Sequence, residues 1–245
     1  MARERKPASP AEAHRGRFGG EGGGPHSSFL RLKDVVVERP RLLLVGINPG
    51  RRSGAVGHHF AGNGNPFWRL LAAARLTPVL LAYSEDQRLA EFGIALTNLC
   101  PRTTRTAAEL TRAEIIRGRA ALARKIARWK PAVVAFVGVS LYAMYFGRAT
   151  GGGPGPKPEI IAWTKRGFAA RSPSRGGLGT ERDIAASLRC REVAPGATLS
   201  GSPSKSIAGA RLFVVPNPSG LNASYPGFAH KLVWFKKLRA FLAKS

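Results

Sequence analysis

The chain has 245 residues, with 39 Lys and Arg against 14 Asp and Glu (a formal charge of +25) and 44% hydrophobic residues. That length suits one domain with a sizeable core, and the apolar fraction excludes a wholly disordered protein. Two cysteines, Cys100 and Cys190, exclude a disulfide framework or a Cys-rich metal site, and no apolar run reaches the roughly 18–20 residues of a membrane span. The charged N-terminus lacks the apolar stretch of a secretion signal. The expectation is an intracellular protein (cytoplasm or nucleoid in a bacterium, nucleus in a eukaryote), not secreted and not on a membrane. A charge this one-sided favours a polyanionic partner, with nucleic acid first.

Residues 1–28 are rich in Gly, Arg, Pro, Ser and Ala and read as a flexible basic tail. The remainder, 29–245, reads as a single domain. Arg41–Gly46 is a continuous apolar run, the pattern of a buried parallel strand. Pro66 to about Arg75 reads as a helix with Pro in its first turn. Ser84, with Gln87 three residues on, starts another. Ile94–Asn98 is a short strand, and Thr111 with Glu114 forms a capping box for a helix that runs to about Lys130 and is stopped by Pro131. Ala132–Val137 is a second buried strand, followed by a helix over Ser140–Phe146. From about 149 to 209 the composition turns to Gly, Pro and Ser, which reads as a low-complexity insertion; Gly151–Gly155 is linker, and Ile160, Ile161, Trp163 and Phe168 are the residues able to anchor its start. Arg211–Val215 is the last strand and Phe228 to about Lys244 the last helix. Strand–helix alternation of this kind gives an α/β fold with a mainly parallel sheet, whose ligand crevice lies in the loops at the carboxyl ends of the strands.

Two of those loops share an Asn-Pro dipeptide directly at a strand end: Gly46-Ile47-Asn48-Pro49-Gly50 and Pro216-Asn217-Pro218-Ser219-Gly220-Leu221. Proline fixes the turn and restricts the residue before it, so each Asn amide is held in a defined direction. Asn-Pro is also ordinary turn punctuation; the repetition at two strand ends of one basic chain is what singles these two out.

GINPG, then GHHFAGNGNPFW, LTNLCPRTTR and VVPNPSGL, in that order, resemble the mismatch-specific uracil/thymine-DNA glycosylases of the uracil-DNA glycosylase superfamily. The resemblance covers about Leu42–Phe146 and Leu212–Leu242. It implies a three-layer α/β/α sandwich around a short, mainly parallel sheet, acting on double-stranded DNA with a mismatched or damaged pyrimidine. A monomer with no cofactor and no metal is expected. By the same resemblance Asn48 is catalytic and positions the attacking water, and Phe60 stacks on the flipped base. The amides around Ile47 and the side chain of Asn98 read the pyrimidine edges. The stretch Asn217, Pro218, Ser219, Gly220, Leu221 and Asn222 supplies the wedge that enters the duplex; its GLNAS ending departs from the GLSR of many bacterial relatives. Gly57-His58-His59 and Asn98 sit closer to the thymine-processing branch, which leaves G·T pairs open beside G·U.

The residues themselves add to this. Ser53 is a candidate for contact with the flipped base and equally for a turn. His58 and His59 are candidates for a base or phosphate contact, with no third ligand at metal spacing. Phe67 and Trp68 read as core and Cys100 as packing. None of the 14 acids falls between Glu38 and Glu85, or after Glu192, so neither Asn-Pro loop carries a carboxylate; paired-carboxylate glycoside hydrolysis is thereby disfavoured. Asn is neutral and a poor general base, so slow turnover is expected. No lysine sits in either loop, so no Schiff-base step is expected. A different lesion range on the same fold, or a basic nucleic-acid-binding module without catalysis, are the alternatives.

Overall fold

The computed structural model describes residues 30–146, 152–162, 190–191, 209–219 and 224–244. The tail 1–28 lies outside them, as does most of the stretch 149–209. Among the described residues the strands are β1 Leu42–Gly46, β2 Ile94–Asn98, β3 Val133–Val137, β4 Gly155–Ala162, β5 Cys190–Arg191 and β6 Gly209–Val215. The helices are α1 Arg51–Val56, α2 Phe67–Ala73, α3 Arg112–Trp129, α4 Val139–Phe146 and α5 Gly227–Leu242.

One six-stranded sheet runs in the order β2-β1-β3-β6-β4-β5. Its first four strands are mutually parallel, and β4 and β5 are antiparallel additions. Side chains alternate across a strand, and here the alternation feeds two cores. Leu42 and Leu44 of β1 face the cluster made with Phe67, Leu70 and Leu71 of α2 and Phe235 and Leu238 of α5. Leu43 and Val45 face the cluster made with Leu122, Ile126 and Trp129 of α3 and Leu141 and Tyr145 of α4. Both faces of the sheet are covered, which is why the strands read as unbroken apolar runs. The architecture is the expected three-layer α/β/α sandwich.

Thr111 and Glu114 form the capping box: Glu114 N–H donates to Thr111 Oγ1 at 3.2 Å, and Thr111 N–H donates to Glu114 Oε2 at 2.8 Å. Lys130, just before Pro131, closes α3 in a left-handed conformation (φ 51°). Three local readings differ from what is observed. Tyr83–Phe92 is 3-10 rather than α-helical, and its first turn is closed by Glu85, not Gln87, whose carboxylate accepts from Ala82 N–H at 2.9 Å. The Asn-Pro loop after β1 contains the short helix α1. The stretch read as linker from Gly151 holds β4, which contains Ile160 and Ile161 and pairs with β6 across a register shift between Lys157 and Ile160. Pro156 and Pro158 cannot donate to a ladder, and that is what hid this strand from a pattern reading. Trp163 and Phe168 lie outside the described residues.

Candidate active site

Parallel strands β1 and β2 bring their carboxyl ends side by side, and the loops that follow are zipped together. Leu99 N–H donates to Gly46 O and Cys100 N–H to Ile47 O, each at 2.8 Å, and Thr104 N–H donates to Pro49 O at 3.1 Å beside a Gly50–Thr104 bridge. Between them opens a cavity of about 300 Å³, walled by Ile47, Asn48, Ser53, His59, Phe60 and Asn98, with Asn217 and Ser219 arriving from the end of β6. No Asp, Glu or Lys is among its lining residues.

The Asn48 carboxamide has a chemically determined orientation. Its Nδ2 donates to Arg102 O at 2.9 Å and to Thr104 Oγ1 at 2.7 Å, with Pro49 O at 3.2 Å. Arg102 O can only accept, and the Thr104 hydroxyl has committed its proton to Thr106 O at 2.7 Å, so both demand the NH₂ end of the amide. Oδ1, the acceptor, is left with no protein partner among the described residues. Arg102 is fixed in turn by Glu114 (Nη2–Oε2 3.0 Å). That guanidinium, with the Thr111 N–H, holds the Glu114 carboxyl down to about 2.

Phe60 forms one wall. Its ring lies on Phe67 with centroids 3.8 Å apart and planes at 18°, so the buried Phe67 underlies the platform while Trp68 is core. Phe60 has φ 50°, a left-handed conformation that costs a non-glycine residue roughly 1 kcal/mol or more. Its neighbours on both sides are clamped: His59 N–H donates to the buried Asp86 carboxylate at 2.9 Å, and Ala61 N–H to Ser53 Oγ at 3.0 Å. Of the two roles open to Ser53, the loop-holding one is therefore filled, from a position in the cavity wall. Near Phe60, above Gly46, the Asn98 amide has no protein hydrogen-bond partner among the described residues. It packs over Gly46, where a Cβ would overlap Asn98 Oδ1 and lie 3.4 Å from Phe60 Cζ. Glycine is needed there for close approach, not for a special backbone angle.

The two histidines separate. His58 is half exposed, pairs with Asp86 (Nδ1–Oδ1 3.2 Å) and is not part of the cavity wall. His59 is buried, and its Nε2 lies 3.0 Å from Lys33 O. A carbonyl can only accept, so the proton is on Nε2. Burial pushes its pKa down, so the ring is neutral at pH 7. Among the described residues no three His, Cys, Asp or Glu side chains gather as metal ligands. Cys100 is buried, and that burial, before the nearby Glu114, lifts its thiol to about 11, so it stays protonated and packs.

On the β6 side, Asn217 Oδ1 accepts from Ser219 N–H at 2.9 Å, closing the Asn-Pro turn. The buried Lys231 of α5 donates to Pro218 O at 3.2 Å and Ser219 O at 3.0 Å. Gly220, Leu221 and Asn222 of the expected wedge lie outside the described residues. Sequence reasoning assigned no role to Thr104, Asp86 or Lys231. Thr104 lies within the quoted LTNLCPRTTR motif, but nothing in its spacing announces a hydrogen bond across 56 positions. Asp86 carried no signal at all. It reaches the site only because the 3-10 segment folds against the α1 loop.

The fold is that of a uracil-DNA-glycosylase-like α/β sandwich, and the cavity lies at its Asn-Pro strand ends. The sequence profile of the uracil DNA glycosylase superfamily matches residues 33–240, and the chain belongs to that superfamily. It is 32% identical over 144 residues to the "G/U mismatch-specific uracil DNA glycosylase" of Schizosaccharomyces pombe, a match covering 56% of this chain and 43% of that protein. The chain thus spans less than half the length of that relative.

Proposed function

We propose that this protein is a monofunctional DNA glycosylase that hydrolyses the N-glycosidic bond of uracil mispaired with guanine in double-stranded DNA. The observation that carries the reading is the Asn48 carboxamide in the wall of an acid-free cavity: its NH₂ end is committed to Arg102 O and Thr104 Oγ1, which leaves its oxygen as the end available to a water. The name of the S. pombe relative points to the same substrate.

The target base is hidden in a duplex and must be extruded, at a cost of a few kcal/mol. Stacking on an aromatic face returns about 1–3 kcal/mol per base; Phe60 on Phe67 offers that face. Asn48 Oδ1 accepts a hydrogen bond from water, turning the water's lone pair towards the sugar anomeric carbon. The water oxygen bonds to that carbon as the carbon–nitrogen bond breaks. The base leaves with the bonding pair, and the water's extra proton passes to solvent or to the departing base. Negative charge grows on the pyrimidine, where the Asn98 amide and the backbone N–H groups near Ile47 act as an anion hole. No carboxylate lines the cavity to oppose that anion, and none is there to deprotonate the water. The chemistry is therefore slow and depends on weak pairing of the target and on leaving-group quality.

The test is a labelled duplex with one G·U pair, incubated with the protein and then cleaved with alkali at abasic sites. Strand scission only after alkali supports the reading. An intact strand at every enzyme concentration, with binding retained, favours a non-catalytic nucleic-acid module. Parallel arms with G·T pairs, single-stranded uracil, hydroxymethyluracil and ethenocytosine define the lesion range. Borohydride trapping of a covalent adduct would overturn the monofunctional assignment.

A further inference from the structure

At the opposite end of the sheet from Asn48 lies a second cavity of about 820 Å³, lined by Arg41, Arg75, Lys236 and Arg239 over a floor of small residues that includes Ala73, Ala74 and Ala240. Arg41 and Ala132 stand just before β1 and β3, so a five-residue strand, about 17 Å, separates this cavity from the crevice. No carboxylate is among its lining residues.

Three features mark it as built rather than incidental. Arg41 is locked in place, Nε donating to Phe92 O and Nη2 to Leu76 O, each at 2.7 Å. Both partners are neutral, and no carboxylate pairs with this guanidinium among the described residues. Arg75 follows Ala74, the C-cap of α2, in a left-handed conformation (φ 55°). Arg75 N–H bonds Ala72 O and Leu76 N–H bonds Leu71 O, so the site is the helix-terminating position that glycine fills most cheaply; an arginine is carried there against local backbone preference. Lys236 and Arg239 are three apart on α5, a like-charge spacing that disfavours the helix. Arg239 in the last turn is accounted for by the helix dipole, but Lys236, nearer the middle, is not.

We propose that this far-end cavity is a second anion site that takes a run of phosphate groups, supplied by a nucleic-acid backbone or by a free oligophosphate. Four cationic residues lining one cavity with no carboxylate among them are stabilised by multiply charged oxyanions, and arginine is suited to phosphate geometry.

The probe is tripolyphosphate, titrated calorimetrically into the full chain. The double variant Lys236→Gln/Arg239→Gln should lose at least tenfold in affinity, as should Arg75→Gly. The latter relieves the left-handed strain, so its thermal midpoint should not fall and lost binding cannot be unfolding. The double variant Arg124→Gln/Arg128→Gln, exposed on α3 over the other face of the sheet and part of neither cavity, should stay within twofold of the unaltered protein. Equal losses in both sets, losses confined to the second set, or no binding at all would overturn the proposal. Sedimentation with a labelled undamaged duplex distinguishes the sources. Two duplexes per chain, reduced to one in Lys236→Gln/Arg239→Gln, identify the nucleic-acid backbone; one duplex in both, with tripolyphosphate binding intact, identifies a free oligophosphate. None of these readouts requires base excision, so failure here is separable from failure of the glycosylase reading.

Discussion

A single methyl group at position 46 tests the geometry of the cavity more sharply than removal of a functional side chain. In Gly46→Ala the new Cβ would overlap Asn98 Oδ1, while Phe60 Cζ at 3.4 Å is an ordinary contact. Because the Asn98 amide has no protein partner holding it, it rotates away cheaply, so the fold should be little affected. What is lost is its hydrogen bond to the departing pyrimidine. A hydrogen bond to a charged group contributes about 1.5–3 kcal/mol, and about 1.4 kcal/mol is tenfold in rate, so the single-turnover rate of uracil release should fall roughly 10- to 150-fold. Quenched reactions on a G·U duplex with enzyme in excess give that rate directly. In an Asn98→Ala background the same methyl should cost almost nothing further, because both changes remove one interaction. A rate for Gly46→Ala within threefold of the unaltered protein, or additive losses in the double variant, would refute the assignment of Asn98 to the base.

Thr104→Val keeps the side-chain shape but removes an acceptor of Asn48 Nδ2; a neutral hydrogen bond at about 0.5–1.5 kcal/mol predicts a roughly 2- to 13-fold slower chemical step with DNA affinity unchanged, and a parallel loss of affinity would contradict it. Arg51 and Arg105 each follow one residue of the Gly50–Thr104 bridge and line the cavity. If they touch phosphates flanking the extruded nucleotide, Arg51→Gln and Arg105→Gln should each reduce the slope of log affinity against log salt by about 1, as measured by fluorescence anisotropy. His59 is held below its usual pKa of 6.5 by burial, so the unfolded chain takes up its proton first, and denaturant-measured stability should decline as pH falls below about 6.5. Glu114, held down to about 2 from the usual 4.5, adds its own loss only as pH falls below about 5, outside the window from 7.5 to 5.5. His59→Gln should flatten the decline between pH 7.5 and 5.5, and an unchanged slope would refute the attribution.

The parts of the fold legible in the sequence are those where one local rule dominates. β1 and β3 are buried on both faces and show as unbroken apolar runs; α3 announces both ends, through Thr111 and Glu114 at the start and Pro131 just past the finish. β4 is obscured because its two prolines, after a glycine-rich run ending at Gly155, look like linker, and only pairing with β6 makes it a strand. The candidate site follows the same division. Asn48, Phe60 and Asn98 sit in short motifs and do meet in one cavity. Asp86, Thr104 and Lys231 act through distant backbone and side-chain groups. His58 and His59, adjacent in sequence, diverge because one ring is buried against Lys33 O and the other turns towards Asp86 near the surface.

Asn48→Ala measures the central claim most directly. Single-turnover release of uracil from a G·U duplex, with duplex affinity determined in parallel, should show at least a hundredfold slower release with a dissociation constant within about threefold, in keeping with what loss of one preorganised polar group costs an enzyme. Uracil release that survives at near the original rate in Asn48→Ala would mean that some other group directs the water.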